Sequence, residues 1–410
     1  MGGGDKNMNV NRTEQHQIKN SHPLFKTIDN FCFKSKNLYN YANYTIRQEF
    51  IKNKKYIKYK EMDKLLQKEE PYKQLMSQAS QCTLQVLDRN WKSFFVTIKD
   101  WAKHPEKYLG RPNLPKYKKK DGRFPWFLKN NQTFIKDGHL GFKLKAMNGY
   151  KFKTNVNGRL ISVRFIPKGT MYIMEIVYEI KISERIQETQ NIISIDLGVN
   201  NFATITNNIG KQPIIINGKG IKSTNQFYNK QRARFQSELK IRNNKHYSNK
   251  LHNLTQKRFN RIKNFIHHAS KYVIDYCLEN KINTIVIGLN NKWKQQLLMN
   301  NKVNQEFTFI PYSMYINQLE YKAQNNGIKI VITEESYTSG TSFIDNELPI
   351  FENYNISRRK CRGLFKSNKG QLINSDVNGS YQIMKKVFPE IQYGIEGSLT
   401  PMIINVVKTT

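Results

Sequence analysis

The sequence predicts an α+β multidomain chain. Three changes of pattern along its 410 residues carry that prediction: a helical stretch from Phe31 to about Trp101, a β-rich stretch from Thr133 to about Ile182, and short strands alternating with helices from Asn191 onward. A chain of this length has room for two or three domains, each with its own core.

Residues 8–30 are polar, with a short strand expected near Gln15–Ile18. The opening MGGGDKN reads as a tag or scar before a natural start at Met8 and is set aside. SKNLYNYANYTIRQEFI carries apolar and aromatic residues at spacings of three and four, as do Leu84, Leu87, Trp91, Phe94, Ile98 and Trp101. That is the pattern of helices burying one face, and the aromatics read as core. GRPNLPKYKKKDGRFP, residues 110–125, is punctuated by Pro and Gly and reads as a loop. Its Lys116, Lys118, Lys119, Lys120 and Arg123 are candidate nucleic-acid contacts. VNGRLISVRFIPKGTMYIMEIVYEI holds two alternating runs about a Pro-Lys-Gly turn, which predicts a hairpin. Lys and Arg among aromatics in this stretch suit phosphate contact with base stacking.

From Asn191 the strands become short and apolar. IISIDLGVNNFATIT reads as strand, turn, strand, and two helices follow over residues 225–280. The first of these is basic and the second amphipathic. TIVIGL and IKIVITEE read as strands with a helix near Tyr312–Asn325 between them, and a last helix begins near Asp376. Strands alternating with helices imply an α/β sheet.

Lys and Arg number 67 against 31 acids, for a formal net charge of +36 spread over the whole chain. A surface this basic calls for a polyanionic partner, and nucleic acid is the default. The four cysteines, Cys32, Cys82, Cys277 and Cys361, are far apart and form no Cys-x-x-Cys pair. That argues against a disulfide framework and against a zinc ribbon, and fits a reducing cytoplasm. No apolar run approaches the ~20 residues of a membrane span. The expected location is therefore cytoplasmic, in association with the nucleoid of a prokaryotic cell.

Two carboxylates stand out. Asp196 ends an apolar strand, with Gly198 two residues on, so a carboxylate is held beside a tight turn. A turn hydrogen bond would also account for it. Asp376 lies at the start of a helix, where a capping role is the ordinary explanation. Together the two can hold Mg²⁺, a hard ion that takes oxygen ligands and few protein carboxylates. Two such ions ~3.5–4 Å apart clamp the attacking and leaving oxygens of a phosphodiester.

Read together, NLYNYANYTIRQ, PNLPKYKKKDG, IDLGVNNFATI, SYTSGTS and NSDVNGSYQI resemble the TnpB family, RNA-guided nucleases of insertion sequences and relatives of the compact type V CRISPR effectors. The resemblance runs from about residue 11 over nearly the whole chain. It implies a β-barrel wedge domain from residues 8–32 and 110–185 and a helical recognition domain inserted at 33–109. It implies an RNase-H-like (RuvC) nuclease domain over 190–410. It further implies a guide RNA from the transposon end and a short DNA motif beside the target. The reaction implied is a Mg²⁺-dependent cut in double-stranded DNA, with Mn²⁺ as a substitute ion, by a chain acting as a monomer with its RNA. Asp196 and Asp376 match the first and third acids of the RuvC pattern. In the family, basic helices such as those at 228–265 flank the guide–target duplex, which makes Arg232, Arg234, Arg258 and Arg261 further candidate contacts, with Arg362 from CRGLF beyond them. His267 and His268 have no partner at ligand spacing and read as packing or phosphate contacts.

Two departures matter. Ser342 stands where the family's zinc ribbon usually begins with Cys, and only Cys361 lies nearby. The insert 340–372 is thus expected as a metal-free loop, without zinc. Gly288 stands where the second RuvC motif usually has Glu. The order of an RNase-H-like sheet would set TIVIGL beside the Asp196 strand and IKIVITEE beside TIVIGL. Strands lie ~4.8 Å apart, so Glu334 or Glu335 can reach over Gly288. They point to opposite faces if the strand continues through them. Glu335 shares a face with Val331 and Thr333 and is the favoured ligand alongside Asp196 and Asp376; an early end to the strand would favour Glu334. Three functions compete: an active RNA-guided DNA endonuclease, an RNA-guided DNA-binding repressor without cleavage, and a transposase acting in strand transfer. The intact Asp196 and Asp376 favour the first.

Overall fold

The computed structural model describes residues 7–183, 190–244, 246–289, 309–361, 363–390 and 399–407. Its described residues divide into two compact units, one over residues 8–181 and one from residue 182 onward.

In the unit over 8–181, β1 (Asn7–Ile18) leads into α1 (Phe25–Asn53). The helix begins six residues before its apolar spacing becomes legible, and the strand is longer than expected. Ile28, Cys32, Ser35, Tyr39, Ala42 and Ile46 alternate spacings of four and three, so one stripe of α1 is buried. After α2 (Tyr59–Leu66) and α3 (Glu70–Lys73), α4 (Ser77–Lys103) answers with Ser80, Leu84, Leu87 and Trp91. The Trp91 indole donates to Asn43 Oδ1 at 3.0 Å across the two helices.

The basic segment after α4 has no regular structure but is strapped to α1. Asn40 exchanges two hydrogen bonds with the Lys118 backbone, at 2.8 and 2.9 Å. Asn43 donates to the Pro115 carbonyl at 2.9 Å, and Lys36 to the Lys120 carbonyl at 2.7 Å. Two stretches noted separately in the sequence, NLYNYANY and PNLPKYKKK, therefore form one structural piece. The strands β2 (Trp126–Lys129), β3 (Thr133–Lys136), β4 (His139–Phe142), β5 (Lys151–Lys153), β6 (Arg159–Lys168) and β7 (Met171–Ser183) follow. They form, with β1, a four-stranded sheet in the order β1-β7-β6-β2 and a three-stranded sheet β3-β4-β5. The predicted hairpin is β6–β7, with Lys168 opposite Met171 and Gly169 turning the chain at φ +62°.

The unit over 182–410 is built on a six-stranded sheet. Its strands are β8 (Ile192–Leu197), β9 (Asn201–Asn207), β10 (Ile214–Asn217), β11 (Thr284–Gly288), β12 (Lys329–Thr333) and β16 (Met402–Ile404), in the order β12-β11-β8-β9-β10-β16. β8 runs antiparallel to β9, while β11 pairs parallel with both β8 and β12. This is the neighbour order expected of TIVIGL and IKIVITEE. β11 is buried along its whole length, as an interior parallel strand requires. Helices α5 (Lys219–Asn243), α6 (Asn249–Glu279) and α7 (Tyr312–Asn325) intervene, and α8 (Ser375–Val387) packs against β8, β9 and β11. The insert before α8 is not the loop expected. β13 (Arg359–Cys361), β14 (Leu364–Lys366) and β15 (Leu372–Asn374) form a small antiparallel sheet over Phe343, Phe365 and Ile373. Short alternating runs of three residues leave little periodicity to read.

Candidate active site

Asp196 is the penultimate residue of β8, just before a tight corner. A methyl group at Gly198 would come within 2.5 Å of the Asn201 carbonyl, so glycine is required for β8 to double back into β9. The buried Tyr312 hydroxyl donates to the Gly198 carbonyl at 2.7 Å and pins that corner.

Asp376 lies in the first turn of α8, yet it does not cap the helix. Asn374 does so, accepting from the Asp376 and Val377 N–H groups at 2.9 and 3.2 Å. The Asp376 carboxylate is left to face Asn201, whose side-chain amide donates to it at 2.6 Å. Gly379, one turn on, lets the helix approach the sheet: a methyl group there would lie 3.1 Å from Asp196 Oδ2. Asn378 is fully buried and takes no part in the cavity. It accepts from the Phe343 N–H at 2.9 Å and donates to the Thr341 carbonyl at 2.8 Å, fastening SYTSGTS to α8.

The space at the end of β11 is occupied. A methyl group at Gly288 would sit 2.7 Å from Glu335 Oε1 and 2.5 Å from the tip of Ile383. β12 ends at Thr333, opposite Gly288. The early strand end was expected to turn Glu334 inward, and it does not. Past Thr333 the backbone leaves the ladder, and the Glu335 carbonyl accepts from Thr338 N–H at 3.2 Å and Thr338 Oγ1 at 2.8 Å. The turn, not strand alternation, sets which acid faces in. Glu334 faces out, paired with Lys386 and accepting from the Ser336 N–H at 3.0 Å. Glu334 is therefore not among the acids of the cavity.

Asp196, Glu335 and Asp376 line one cavity of about 280 Å³, with Asn201, Thr338, Ser339, Ser375 and Arg359 around them. Burial pushes the Asp196 carboxyl well above its usual range; Glu335 and then Asp376 add to the shift, and Arg359 opposes it. Burial and then Glu334 push Glu335 up to about 7. Burial acts to raise Glu334 too, but Lys386 and Ser336 outweigh it and hold Glu334 low. Mutual repulsion among three acids in one cavity is relieved by a divalent cation. The all-oxygen donor set suits a hard ion such as Mg²⁺. Among the described residues, no three such side chains already stand at metal-ligand separations. Arg359 was missed in the sequence, because it reaches the cavity from the small sheet of the insert, 17 residues before Asp376 with no periodicity to mark it.

The candidate nucleic-acid contacts divide. Lys116, Lys119, Lys120, Arg234 and Arg261 are exposed, with Arg234 paired to Glu238 at 2.9 Å. Arg232 and Lys118 are half-buried, and Lys118 lies over the Tyr39 and Phe124 rings. Arg123 grips Asp29 through two hydrogen bonds at 2.7 and 2.8 Å. Arg258 bonds Asn225 and the Phe309 carbonyl at 2.7 and 2.8 Å, between the Tyr228 and Phe309 rings. Both arginines are thus engaged within the protein. Arg362 lies outside the described residues.

Residues 175–294 match the OrfB_IS605 family, described as a probable transposase, and residues 312–383 match the Cas12f1-like TNB domain. A TnpB-like protein, ORF457 of Acidianus two-tailed virus, is 23% identical over 396 residues, covering 86% of this chain and 81% of its own. In fold, the chain is similar to the protein in a cryo-EM structure of a Cas12f1–sgRNA–target DNA complex, with a TM-score of 0.55 at 16% identity, over 87% of this chain and 82% of that one. The fold is that of a multidomain α+β protein whose larger unit carries an acid-lined cavity at one edge of its sheet. Over most of its length the chain is similar to TnpB-like and Cas12f1-like proteins.

Proposed function

We propose that this chain is an RNA-guided DNA endonuclease of an insertion sequence, cutting double-stranded DNA beside a short target-adjacent motif. Asp196, Glu335 and Asp376 would hold two Mg²⁺ ions. The observation that carries this reading is the Glu335 carboxylate lying over Gly288, in the cavity shared with the two aspartates. When bound, the ions polarise the scissile phosphate and make water a stronger nucleophile. The chain's own groups do the rest. Asn201 orients Asp376 through its amide. Arg359 stands at the cavity with a guanidinium suited to a phosphate oxygen. Water attacks phosphorus, and the in-line P–O bond to the leaving oxygen breaks.

In this reading residues 8–32 and 110–185 act as the wedge, 33–109 as the recognition domain and 190–410 as the nuclease domain. The partners are a guide RNA from the transposon end and the target DNA, and the protein works as a monomer with its RNA in the cytoplasm. No described helix is long and apolar enough to cross a membrane. The competing reading, a repressor that binds without cutting, rests on Gly288. The deciding experiment purifies the chain with co-expressed flanking RNA and incubates it with a randomised-flank plasmid library, in Mg²⁺ and in EDTA. Cleavage in Mg²⁺ alone supports the nuclease; guided binding without cleavage in Mg²⁺ or Mn²⁺ supports the repressor.

A further inference from the structure

Glu335 has a positioning problem. It lies two residues beyond the last ladder pair of β12, where the turn closed by Thr338, and not the strand ladder, sets its backbone. Its side chain has three rotatable bonds, and it repels the Asp196 carboxylate across the shared cavity. A ligand so placed needs its neighbours held.

The residues on either side of Glu335 are held by one ammonium group. Lys386 pairs with the Glu334 carboxylate and donates to the Ser336 carbonyl at 2.8 Å. Glu334 in turn accepts from the Ser336 N–H at 3.0 Å, closing a small ring of contacts around the 334–336 backbone. Lys386 sits on α8, the helix that also carries Asp376. Gly379, Ile383 and Lys386 follow one another at spacings of four and three, so they share one face of that helix. Gly379 lies against Asp196 of β8, Ile383 against Gly288 of β11, and Lys386 against the segment that follows β12. A single helical face thus spans three adjacent strands and meets an element of the site at each.

We propose that Glu334 and Lys386 are positioning residues that hold Glu335 over Gly288, so that the two adjacent glutamates divide the work: one binds metal and the other anchors it. This rests on the reading of Glu335 as a metal ligand. Removing Lys386 frees the segment and leaves the Glu334 charge unpaired beside Glu335.

The test is Mn²⁺ binding to the metal-stripped, RNA-free full chain, followed by the spectroscopic signal of the free ion. Wild type is compared with Glu335→Gln, Lys386→Met, Lys386→Arg and Glu334→Gln, and thermal melting is recorded in EDTA. Partners of metal ligands typically contribute ~10–100-fold in affinity. Lys386→Met and Glu334→Gln are expected to weaken Mn²⁺ binding by about tenfold. Lys386→Arg is expected to stay within about threefold of wild type, since it keeps the charge and the donors. In cleavage assays the Lys386→Met defect should shrink as Mg²⁺ is raised. Lys386→Met binding Mn²⁺ within about twofold of wild type, while Glu335→Gln is weakened, overturns the positioning role and leaves the ligand reading intact. Unchanged binding in Glu335→Gln overturns the ligand reading itself, and the positioning role with it. A melting temperature lowered in Lys386→Met without change in Mn²⁺ affinity assigns Lys386 to stability alone.

Discussion

The Glu335 carboxylate occupies the space that a side chain at residue 288 would fill: a methyl group on Gly288 would lie 2.7 Å from Glu335 Oε1 and 2.8 Å from its Cγ. The absence of a side chain at 288 and the presence of an acid at 335 are one arrangement. Gly288→Ala is accordingly expected to push Glu335 and Ile383 aside and to lower guided cleavage by about tenfold or more, since misplacing a reacting group by ~1 Å can cost 10²-fold. Guided DNA binding should be unchanged, which a filter or gel-shift titration beside the cleavage assay would check.

The two aspartates hold the ends of the site that the sheet and α8 bring together. Asp196→Ala and Asp376→Ala are each expected to abolish guided cleavage while leaving target affinity within about twofold, because phosphate contacts elsewhere dominate affinity. Measured cutting by either variant near the wild-type rate removes that residue from the site.

Without metal, the acid cluster should lower stability as pH rises. Glu335 is pushed from 4.5 up to about 7 in the folded chain. Between those values the folded chain binds a proton that the unfolded chain has released, so stability falls as pH rises through the window. In EDTA the melting temperature should therefore decline from pH 5 to pH 7, and Glu335→Gln should flatten the decline. Mg²⁺ at about 100 times its dissociation constant should add about 2.7 kcal/mol. That corresponds to roughly 2–4 °C per kcal/mol for a domain of this size. A melting temperature insensitive to both pH and Mg²⁺ would argue against a shared acid site.

The net charge of +36 predicts strongly salt-dependent binding to nucleic acid. Neutralising ~10 phosphates gives a log–log slope near −9 on duplex DNA and a shallower one on single strands. Arg261→Ala should reduce the slope by about one if that exposed arginine meets a phosphate, whereas Arg258→Ala should act through stability, since Tyr228, Phe309 and Asn225 already hold its guanidinium. Elemental analysis of EDTA-washed protein is expected to find no stoichiometric zinc, as the only cysteine of the insert, Cys361, has no cysteine near it in sequence.

Much of the unit over residues 182–410 was legible because its strands are short apolar runs bounded by glycine and asparagine, and because Asp196 and Asp376 sit at element ends. The helix near Tyr312 and the neighbour order of β8, β11 and β12 followed from the same pattern and from the family resemblance. What was not legible depends on tertiary contact. Asn374, not Asp376, caps α8. The orientation of Glu335 depends on a turn closed by Thr338, which strand alternation does not encode. Arg123 and Arg258 looked like surface cations, yet their partners lie 94 and 33 residues away in sequence. The small sheet that delivers Arg359 has strands of three residues, too short to leave a period.

The central claim is that Glu335 supplies the acid absent at Gly288. It is tested most directly by the single-turnover cleavage rate of Glu335→Gln, measured with guide RNA and matched target at saturating Mg²⁺ beside Glu334→Gln. The account predicts guided binding close to wild type with cleavage lost in Glu335→Gln, and only a partial, Mg²⁺-responsive loss in Glu334→Gln. Cleavage by Glu335→Gln at the wild-type rate would contradict it.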